Sequence, residues 1–391
     1  MDLIPTTSDA LSISSLCVSP NRRFIAVAES TTERGIVNIY DANTFRRRKM
    51  LNLPELESKT INHIVFSADT KQCLTLGGAP DYMMCLWNVE KAVKVITSLS
   101  LASPNGAEVY KATFCPADPS VICVTGAGVL RFFRVLEGGF RPVTLNIKRE
   151  PQDYTCQAWL PEDRVVIAAD SGELLIIENF EFKCVLSSSP TDGKRVGCIV
   201  AFSKGFVVGG TGGIRIYEKS DDSREFYKLG KIFQIKTNPS CVITSMSVSP
   251  SEDVLLCSTS DHQLYTFSLS NTDILKEDAN NFDVLMAPFH GPGESQSPKI
   301  TGLDTCIWKP LVVSCGLDRS VRVWNYVEKT MELMKVFDEE ALSVALHPSG
   351  LYVLIAFTSR IRLCSILMDD IRPIRDLTIK GCKKVRGGRM E

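Results

Sequence analysis

A short unit of apolar segments and turns that recurs about every 45 residues constrains this chain more than any other feature of its sequence. Its clearest copy runs from Ile300 to Tyr326. There, Ile300–Ile307, Leu311–Cys315 and Ser320–Trp324 predict three short strands with turns between them. Internal repetition at this period is typical of arrays in which each repeat buries its apolar surface against the next.

Eight copies of the unit follow one another along the chain, and each interval leaves room for a fourth strand, as at residues 92–99, 226–235 and 371–379. The copies start at residues 11, 61, 109, 154, 196, 242, 300 and 341. Four short strands at this spacing are the period of a WD40-type β-propeller blade. We therefore predict an all-β chain of about eight four-stranded blade repeats.

The character of the strands agrees with this architecture. Val321 and Val323 alternate with polar residues, as in a strand that is exposed on one face. Val165–Ala169 and Val353–Ala356 are continuous apolar runs, which predicts strands covered on both faces by neighbouring blades.

The repeat also divides the chain. We predict an N-terminal tail at residues 1–10, a propeller region at 11–380 with an exposed insertion at about 290–298, and a basic tail at 381–391. The eight repeats can close as one ring. They can equally be most of one ring followed by the opening blades of a second, and the sequence leaves both arrangements open.

Composition excludes several classes of protein. Forty-four Lys and Arg balance forty-five Asp and Glu, so bulk charge does not indicate nucleic-acid binding. No apolar run approaches the roughly 20 residues of a membrane-spanning helix, so no membrane partner is expected. The fourteen cysteines are scattered, without a C-x-x-C pair, and most lie in apolar runs, which favours a reducing compartment such as the cytoplasm.

No motif predicts catalysis, a cofactor or a metal. The glycine-rich segment at 208–213 lacks the Lys-Ser/Thr of a phosphate-binding loop and is expected to form a hairpin turn. The four histidines, His63, His262, His290 and His347, lie in different repeats at unrelated positions, so no metal site is expected from them. His262 and His347 lie in turns, where hydrogen bonding within the turn is the expected role. Acidic pairs such as Glu339-Glu340 are expected on the solvated surface. We therefore expect a protein that is not an enzyme.

Basic residues in turns and links are the candidates for partner contact. They are basic, and they occupy positions where a propeller presents side chains to other proteins. The set is Arg22, Arg23, Arg46, Arg47, Arg48, Lys49, Arg319 and Arg360. The tail after Lys380 is a second basic cluster. The cluster at 46–49 and this tail both suit an acidic surface such as tubulin or a phosphate-rich partner.

At the segment LDRSVRVWN, residues 317–325, the chain resembles the WD-repeat family, whose repeats close on a Trp-Asp-like pair. Trp87-Asn88, Trp324-Asn325 and Tyr40-Asp41 stand in that place, and Asp318 matches the family's turn aspartate. The Gly-His pair that usually opens such repeats is absent, so the His–Asp network typical of the family cannot be assumed here.

Longer segments in the same order resemble the family of cilia- and flagella-associated protein 57. They include LSISSLCVSPNRRFIAVAES, EPQDYTCQAWLPEDRVVIAADSGELLIIE and FSKGFVVGGTGGIRIYEK. The resemblance implies a scaffold of the motile-cilium axoneme, within the cytoskeleton. It would help to seat inner dynein arms on doublet microtubules, with inner-arm components and tubulin as partners.

Two other functions remain open from the sequence: a WD adaptor in a cytosolic complex, such as a ubiquitin ligase or transport coat, and a propeller hydrolase. Members of the resembled family also continue into a second propeller and a long coiled coil. This chain carries no heptad segment, so a short isoform and a fragment of a longer protein are both compatible with it.

Overall fold

The computed structural model of the chain is all-β over the residues that it describes. These are residues 7–377, with gaps at 91–93, 148, 187–195, 221–225, 237–239, 271, 273–274, 276–280, 287–289, 291–299 and 329. The predicted insertion at 290–298, apart from His290, and the basic tail at 381–391 therefore lie outside the described residues. The residues of the predicted N-terminal tail from Thr7 onward are described, and Ala10 already belongs to the first strand.

Thirty-two strands form eight four-stranded sheets, and each sheet uses four strands that are consecutive in the chain. We call the sheets blades 1 to 8 in chain order. Every strand pair whose register is described is antiparallel. The strands of blades 1 to 4 are β1 Ala10–Val18, β2 Phe24–Thr31, β3 Ile36–Asp41, β4 Arg47–Leu51; β5 Ile61–Phe66, β6 Gln72–Gly77, β7 Met83–Asn88, β8 Lys94–Ser100; β9 Val109–Phe114, β10 Val121–Gly126, β11 Val129–Leu136, β12 Gly139–Val143; β13 Tyr154–Leu160, β14 Arg164–Ala169, β15 Leu174–Glu178 and β16 Glu181–Val185.

Blades 5 to 8 repeat the same order. Their strands are β17 Val196–Phe202, β18 Gly205–Gly210, β19 Gly213–Lys219, β20 Tyr227–Gln234; β21 Ile243–Val248, β22 Val254–Thr259, β23 Leu264–Ser268, β24 Phe282–Met286; β25 Ile300–Thr305, β26 Leu311–Gly316, β27 Ser320–Asn325, β28 Thr330–Val336; β29 Ala341–Leu346, β30 Tyr352–Phe357, β31 Ile361–Ile366 and β32 Ile371–Leu377. The prediction of eight four-stranded repeats is confirmed, with observed strand ends within a few residues of the predicted ones. The glycine-rich segment at 208–213 forms the expected hairpin, because β18 and β19 pair across Thr211-Gly212.

The chain divides into two compact units, Met1–Ser260 with Tyr265–Asp283, and Asp261–Leu264 with Val284–Glu391. The first holds blades 1 to 6, apart from the short stretches of blade 6 that group with the second. The second holds blades 7 and 8.

Five apolar clusters fill the first unit, one between each pair of adjacent blades. Because alternate residues of a strand point to opposite faces, one strand serves two clusters. In β14, Val165 and Ile167 pack towards blade 3, whereas Val166 and Ala168 pack towards blade 5. This confirms the prediction that Val165–Ala169 is covered on both faces.

The second unit has one such cluster, between blades 7 and 8. Val353 and Ile355 of β30 belong to it, but Leu354 between them is 39% exposed. The prediction that Val353–Ala356 is covered on both faces is therefore wrong. Within this unit blade 8 packs against blade 7 through one face only, so burial in β30 alternates.

Each first strand carries an irregularity at the same place, where one extra residue interrupts the pairing with the second strand. In several blades the side chain of this extra residue donates a hydrogen bond to the first inner-strand carbonyl of the next blade. The donors are Ser14 to Ile61, Asn62 to Val109, Thr155 to Val196 and Thr301 to Ala341. The repeated irregularity thus joins neighbouring blades by their innermost strands.

Candidate functional site

Six of the eight basic residues predicted to contact partners lie at one end of blade 1. Arg22 and Arg23 belong to the turn between β1 and β2, and Arg46 lies in the turn between β3 and β4. The backbone amide of Ala42 donates to the carbonyl of Arg23 at 2.8 Å, so these two turns are neighbours. The structure therefore brings together residues that are more than 20 positions apart in sequence.

Four of these side chains are exposed and form no ion pair with any residue that the structure describes: Arg22, Arg23, Arg46 and Arg47. We call these four residues the basic patch. The turn that holds Arg22 begins with Ser19, whose hydroxyl accepts from the amide of Phe24 and donates to Asn21. Arg22 itself has a φ of 57° in this tight turn. The turn fixes the backbone while leaving the guanidinium groups free.

Arg48 and Lys49 are occupied by contacts within the chain. The guanidinium of Arg48 lies 3.0 Å from Asp41. Backbone hydrogen bonds from Thr44, followed by the Arg48 contact, lower the pKa of that carboxyl. The ammonium of Lys49 donates to the carbonyls of Val89 and Glu90 in blade 2. These two residues therefore join strands and blades, and their charges are less available to a partner.

Arg319 and Arg360 lie elsewhere, in the second unit. Each occupies the turn between the second and third strands of its blade, whereas the basic patch lies at turns after the first and third strands. Arg319 has a φ of 60°, and its carbonyl oxygen accepts a hydrogen bond from the amide of Phe337. The eight predicted residues are thus divided between the two units, six in the first and two in the second.

Arg360 is part of a charged cluster in blade 8. Its guanidinium lies 2.6 Å from Asp338 and 3.2 Å from Glu339, and its side chain is 22% exposed. The hydrogen bond from Arg360 lowers the pKa of Asp338. Arg362 pairs with Asp376 at 2.6 Å in the same cluster. Because its charge is balanced locally, Arg360 is a poorer candidate for partner contact than the basic patch.

Blade 7 contains a buried polar network centred on His290. The Nδ1 atom of the imidazole lies 2.9 Å from Oδ1 of Asp318, and Nε2 lies 2.9 Å from the hydroxyl of Ser314. The indole of Trp324 donates to the same hydroxyl at 2.8 Å. Ser314 therefore gives its own hydrogen to Nε2, and Nδ1 carries the proton that faces the carboxylate.

The charges in this network follow from burial and hydrogen bonding. Burial lowers the pKa of His290 and outweighs the opposing effect of Asp318. Burial also acts to raise the pKa of Asp318, but hydrogen bonds from His290 and Ser320 outweigh it, and the pKa is lowered. A neutral imidazole beside an ionised carboxylate is the arrangement that results. It holds the turn between β26 and β27 against the inner part of the blade.

A His–Asp network, which the sequence did not allow us to assume, is therefore present in blade 7. Two other histidines behave as follows. His347 does bond within its turn, to Ser349 at 2.8 Å, whereas His63 lies 2.9 Å from the carbonyl of Ala112 in the next blade. The sequence does not point to the role of His290, because Gly291 follows it and the usual order is Gly-His. The position of His290, 28 residues before Asp318, was the sequence feature that could have indicated the pair.

The part of the chain that holds this network matches a known repeat. Residues 287–325 match the family model described as "WD domain, G-beta repeat". This segment is a WD repeat. The matched residues include His290, Ser314, Asp318 and Trp324, which form the network described above.

Curated relatives of this WD-repeat chain are cilia- and flagella-associated proteins. Cilia- and flagella-associated protein 57 of Mus musculus is 34% identical over 423 residues, which cover 94% of this chain and 33% of the relative. Cilia- and flagella-associated protein 57 A of Tetrahymena thermophila is 33% identical over 81% of this chain and 25% of its own length. The chain thus spans a third or less of these two relatives. The similarity confirms the resemblance expected from the sequence and supports a ciliary location.

Solved structures show the same fold at low identity. The crystal structure of Sqt1 of Saccharomyces cerevisiae is similar with a TM-score of 0.56 and 10% identity, over 96% of this chain and 98% of that chain. Sqt1 of Chaetomium thermophilum, bound to the N-terminus of the ribosomal protein L10, gives a TM-score of 0.52 and 15% identity, over 89% and 94%. Together with the eight four-stranded sheets, these similarities confirm the predicted WD40-type β-propeller fold.

The part of the chain that the structure describes contains no group of three or more His, Cys, Asp or Glu side chains that is placed to hold a metal ion. No helix within the same residues has the length and apolar character needed to cross a membrane.

Proposed function

We propose that this chain is a non-catalytic WD-repeat scaffold of the motile-cilium axoneme that helps to seat inner dynein arms on doublet microtubules. The observation that carries the proposal is the 34% identity to cilia- and flagella-associated protein 57, which extends over 94% of the chain. Similarity of this extent reaches all the blades, so it includes the surface turns through which a propeller contacts other proteins.

Within this proposal the basic patch on blade 1 contacts the doublet microtubule. Arg22, Arg23, Arg46 and Arg47 are exposed without an ion pair among the described residues, and they converge at one end of one blade. Tubulin presents an acidic surface, and clustered guanidinium groups raise both the rate and the strength of binding to such a surface. Contacts with inner-arm components would use other blades of the same scaffold.

Retention on the axoneme tests the proposal. The tagged 391-residue chain is expressed in multiciliated cells, and the axonemes are demembranated and washed. We expect the chain to remain with the axonemes, together with inner-arm dyneins in a pull-down. A chain that washes out although it is folded, or that assembles instead with ubiquitin-ligase or coat subunits, contradicts the axonemal function.

The contribution of the basic patch is tested separately by charge reversal at its four arginines. We expect the variant to bind taxol-stabilised microtubules at least about tenfold more weakly than the unmodified chain, because four favourable charges become unfavourable. The matched control reverses four exposed basic residues that lie elsewhere in the first unit: Lys71, Arg131, Lys204 and Lys228. Equal loss in both variants would show that binding depends on net charge and not on the patch.

A further inference from the structure

A small cavity opens between blades 3 and 4, at the end of the blades where the first and third turns lie. Its volume is about 80 Å³. Since a water molecule occupies about 30 Å³ in the liquid, the cavity has room for a few non-hydrogen atoms of a bound molecule. All its lining residues belong to the first unit.

The inner wall of the cavity is aromatic and aliphatic. Phe132 of β11 packs edge-on against Trp159 of β13, with ring centroids 6.3 Å apart, and against Phe180 at 5.4 Å. Val165 and Ile177 close the wall. The indole of Trp159 is held in place by a 3.0 Å hydrogen bond to the hydroxyl of Thr113. A methylene chain would find continuous apolar contact here, and a cation would meet the faces and edges of three rings.

Carboxylates stand at the mouth of the cavity. Asp118 and Asp163 lie there together with Arg134. Arg134 is 3.8 Å from Asp118 and 5.9 Å above the ring of Phe180, so its charge is balanced by Asp118. Asp163 is exposed, and its Oδ1 accepts from the thiol of Cys115 at 3.4 Å. Among the described residues no cation pairs with Asp163, which leaves one unbalanced negative charge at the entrance.

A groove of about 350 Å³ continues from the cavity across the first turns of blades 3 to 6. The cavity and the groove share Trp159 and Asp163. The floor of the groove is apolar, with Pro116, Pro161 and Phe202, and its charged lining consists of carboxylates only: Glu162, Asp163 and Glu252. Glu162 is paired with Lys219 and Arg164, whereas Glu252 accepts only from the backbone amide of Ser203 among the residues that the structure describes. The groove is therefore apolar below and negative at its rim.

Two turns that frame the cavity hold residues in the left-handed region. Glu162 and Asp163 have φ of 67° and 56°, and Asn179 and Phe180 have φ of 51° and 63°. A bulky residue such as Phe is rare in this region, because its side chain is crowded against the backbone there. The strained turns place Asp163 at the mouth and the ring of Phe180 in the wall. Strain of this kind is retained where the surrounding structure requires the side chain.

We propose that this cavity and groove bind an extended segment of a partner protein that inserts a lysine side chain between blades 3 and 4. The methylene stem packs on Trp159 and Phe180, whose rings rest on the buried Phe132, and the ammonium group lies at the mouth beside Asp163. Apolar residues that flank the lysine occupy the groove. The occupant has the opposite charge from the surface that the basic patch would bind, so this is a second, independent contact of the scaffold.

The test uses three capped pentapeptides, Ala-Leu-X-Leu-Ala, in which X is lysine, norleucine or glutamate. The full chain is labelled with ¹⁵N at its four tryptophans, and the indole resonances are followed during titration. The variant Trp159→Phe identifies the Trp159 signal. We expect the lysine peptide to shift the Trp159 resonance while that of Trp87, which is 4% exposed between blades 1 and 2, stays in place. The shift should weaken in 0.5 M salt.

Asp163→Asn then removes the charge at the mouth. Asparagine adopts positive φ readily, so the turn is kept. We expect about fivefold weaker binding of the lysine peptide, as for loss of an exposed ion pair. The control Glu137→Gln removes an exposed carboxylate on blade 3 outside the cavity and should leave binding unchanged. Equal binding of the norleucine peptide, equal binding by Asp163→Asn, or no Trp159 shift with any peptide overturns the proposal.

Discussion

The imidazole of His290 lies 2.9 Å from Oδ1 of Asp318, although the two residues are 28 positions apart in the chain. The contact links the segment that precedes the first strand of blade 7 to the turn between its second and third strands. Through Ser314 it also reaches the indole of Trp324. Four side chains from different parts of one repeat thus form the buried polar network inside the blade.

Loss of this network should destabilise the second unit. In His290→Ala, the buried carboxylate of Asp318 loses a charge-assisted hydrogen bond and Ser314 loses an acceptor. We expect a decrease of about 2–3 kcal/mol in the free energy of unfolding. Chemical denaturation measures it. His347→Ala is the control, because among the described residues the imidazole of His347 forms hydrogen bonds only with Ser349, and it should change stability by less than about 0.5 kcal/mol. Equal effects would show that the network contributes nothing special.

His63 makes the first unit sensitive to acid. Burial between blades 2 and 3, with a smaller effect of Lys111, lowers its pKa to about 3. The unfolded chain binds a proton at this histidine near pH 6.5, whereas the folded chain does not, so stability is complete above pH 6.5 and falls as the pH decreases towards 3. The slope from this one group is at most about 1.4 kcal/mol per pH unit.

We therefore expect His63→Gln, which can still donate to the carbonyl of Ala112, to lose part of this acid sensitivity. The free energy of unfolding is measured between pH 7 and pH 4.5. His347→Gln should retain the slope of the unmodified chain. An unchanged slope in His63→Gln would contradict the assigned pKa shift.

Gly197 should not tolerate a side chain. It is the extra residue in the first strand of blade 5, and a Cβ atom there would lie 2.1 Å from the carbonyl oxygen of Ile243 in blade 6. The obstacle is backbone, so blades 5 and 6 would have to separate. We expect Gly197→Ala to cost about 3 kcal/mol or more of unfolding free energy. Gly139→Ala, whose Cβ would lie 3.8 Å from its nearest atom, should cost less than about 1 kcal/mol. Similar midpoints in thermal unfolding would exclude the clash.

Thr155 occupies the corresponding position in blade 4, and its hydroxyl donates to the carbonyl of Val196 in blade 5 at 3.2 Å. Thr155→Val keeps the shape of the side chain and removes the donor. We expect a loss of about 1 kcal/mol, and near-complete recovery in Thr155→Ser. If serine is as destabilising as valine, the methyl group and not the hydrogen bond is what matters at this site.

Sequence alone determined the architecture of this protein. The period of about 45 residues and the apolar runs required short strands, and turn residues such as Pro20, Pro116 and Pro348 placed the ends of the first strands. These are local properties, because strand alternation and turn geometry depend on neighbouring residues. The absence of a close-spaced ligand pair was likewise readable in the sequence, and so was the resemblance at the segment that ends in Trp324.

Only the tertiary structure decided which distant side chains meet. It joined Arg22 and Arg23 to Arg46 and Arg47 at one end of blade 1, placed Arg319 and Arg360 in another unit, and paired Arg360 with acidic residues. It also gathered Trp159, Phe180 and Asp163 around one cavity. Such contacts depend on how one blade packs against the next. That packing is fixed by apolar clusters and by bridging residues such as Thr155, whose partners lie some 40 residues away and leave no local pattern in the sequence.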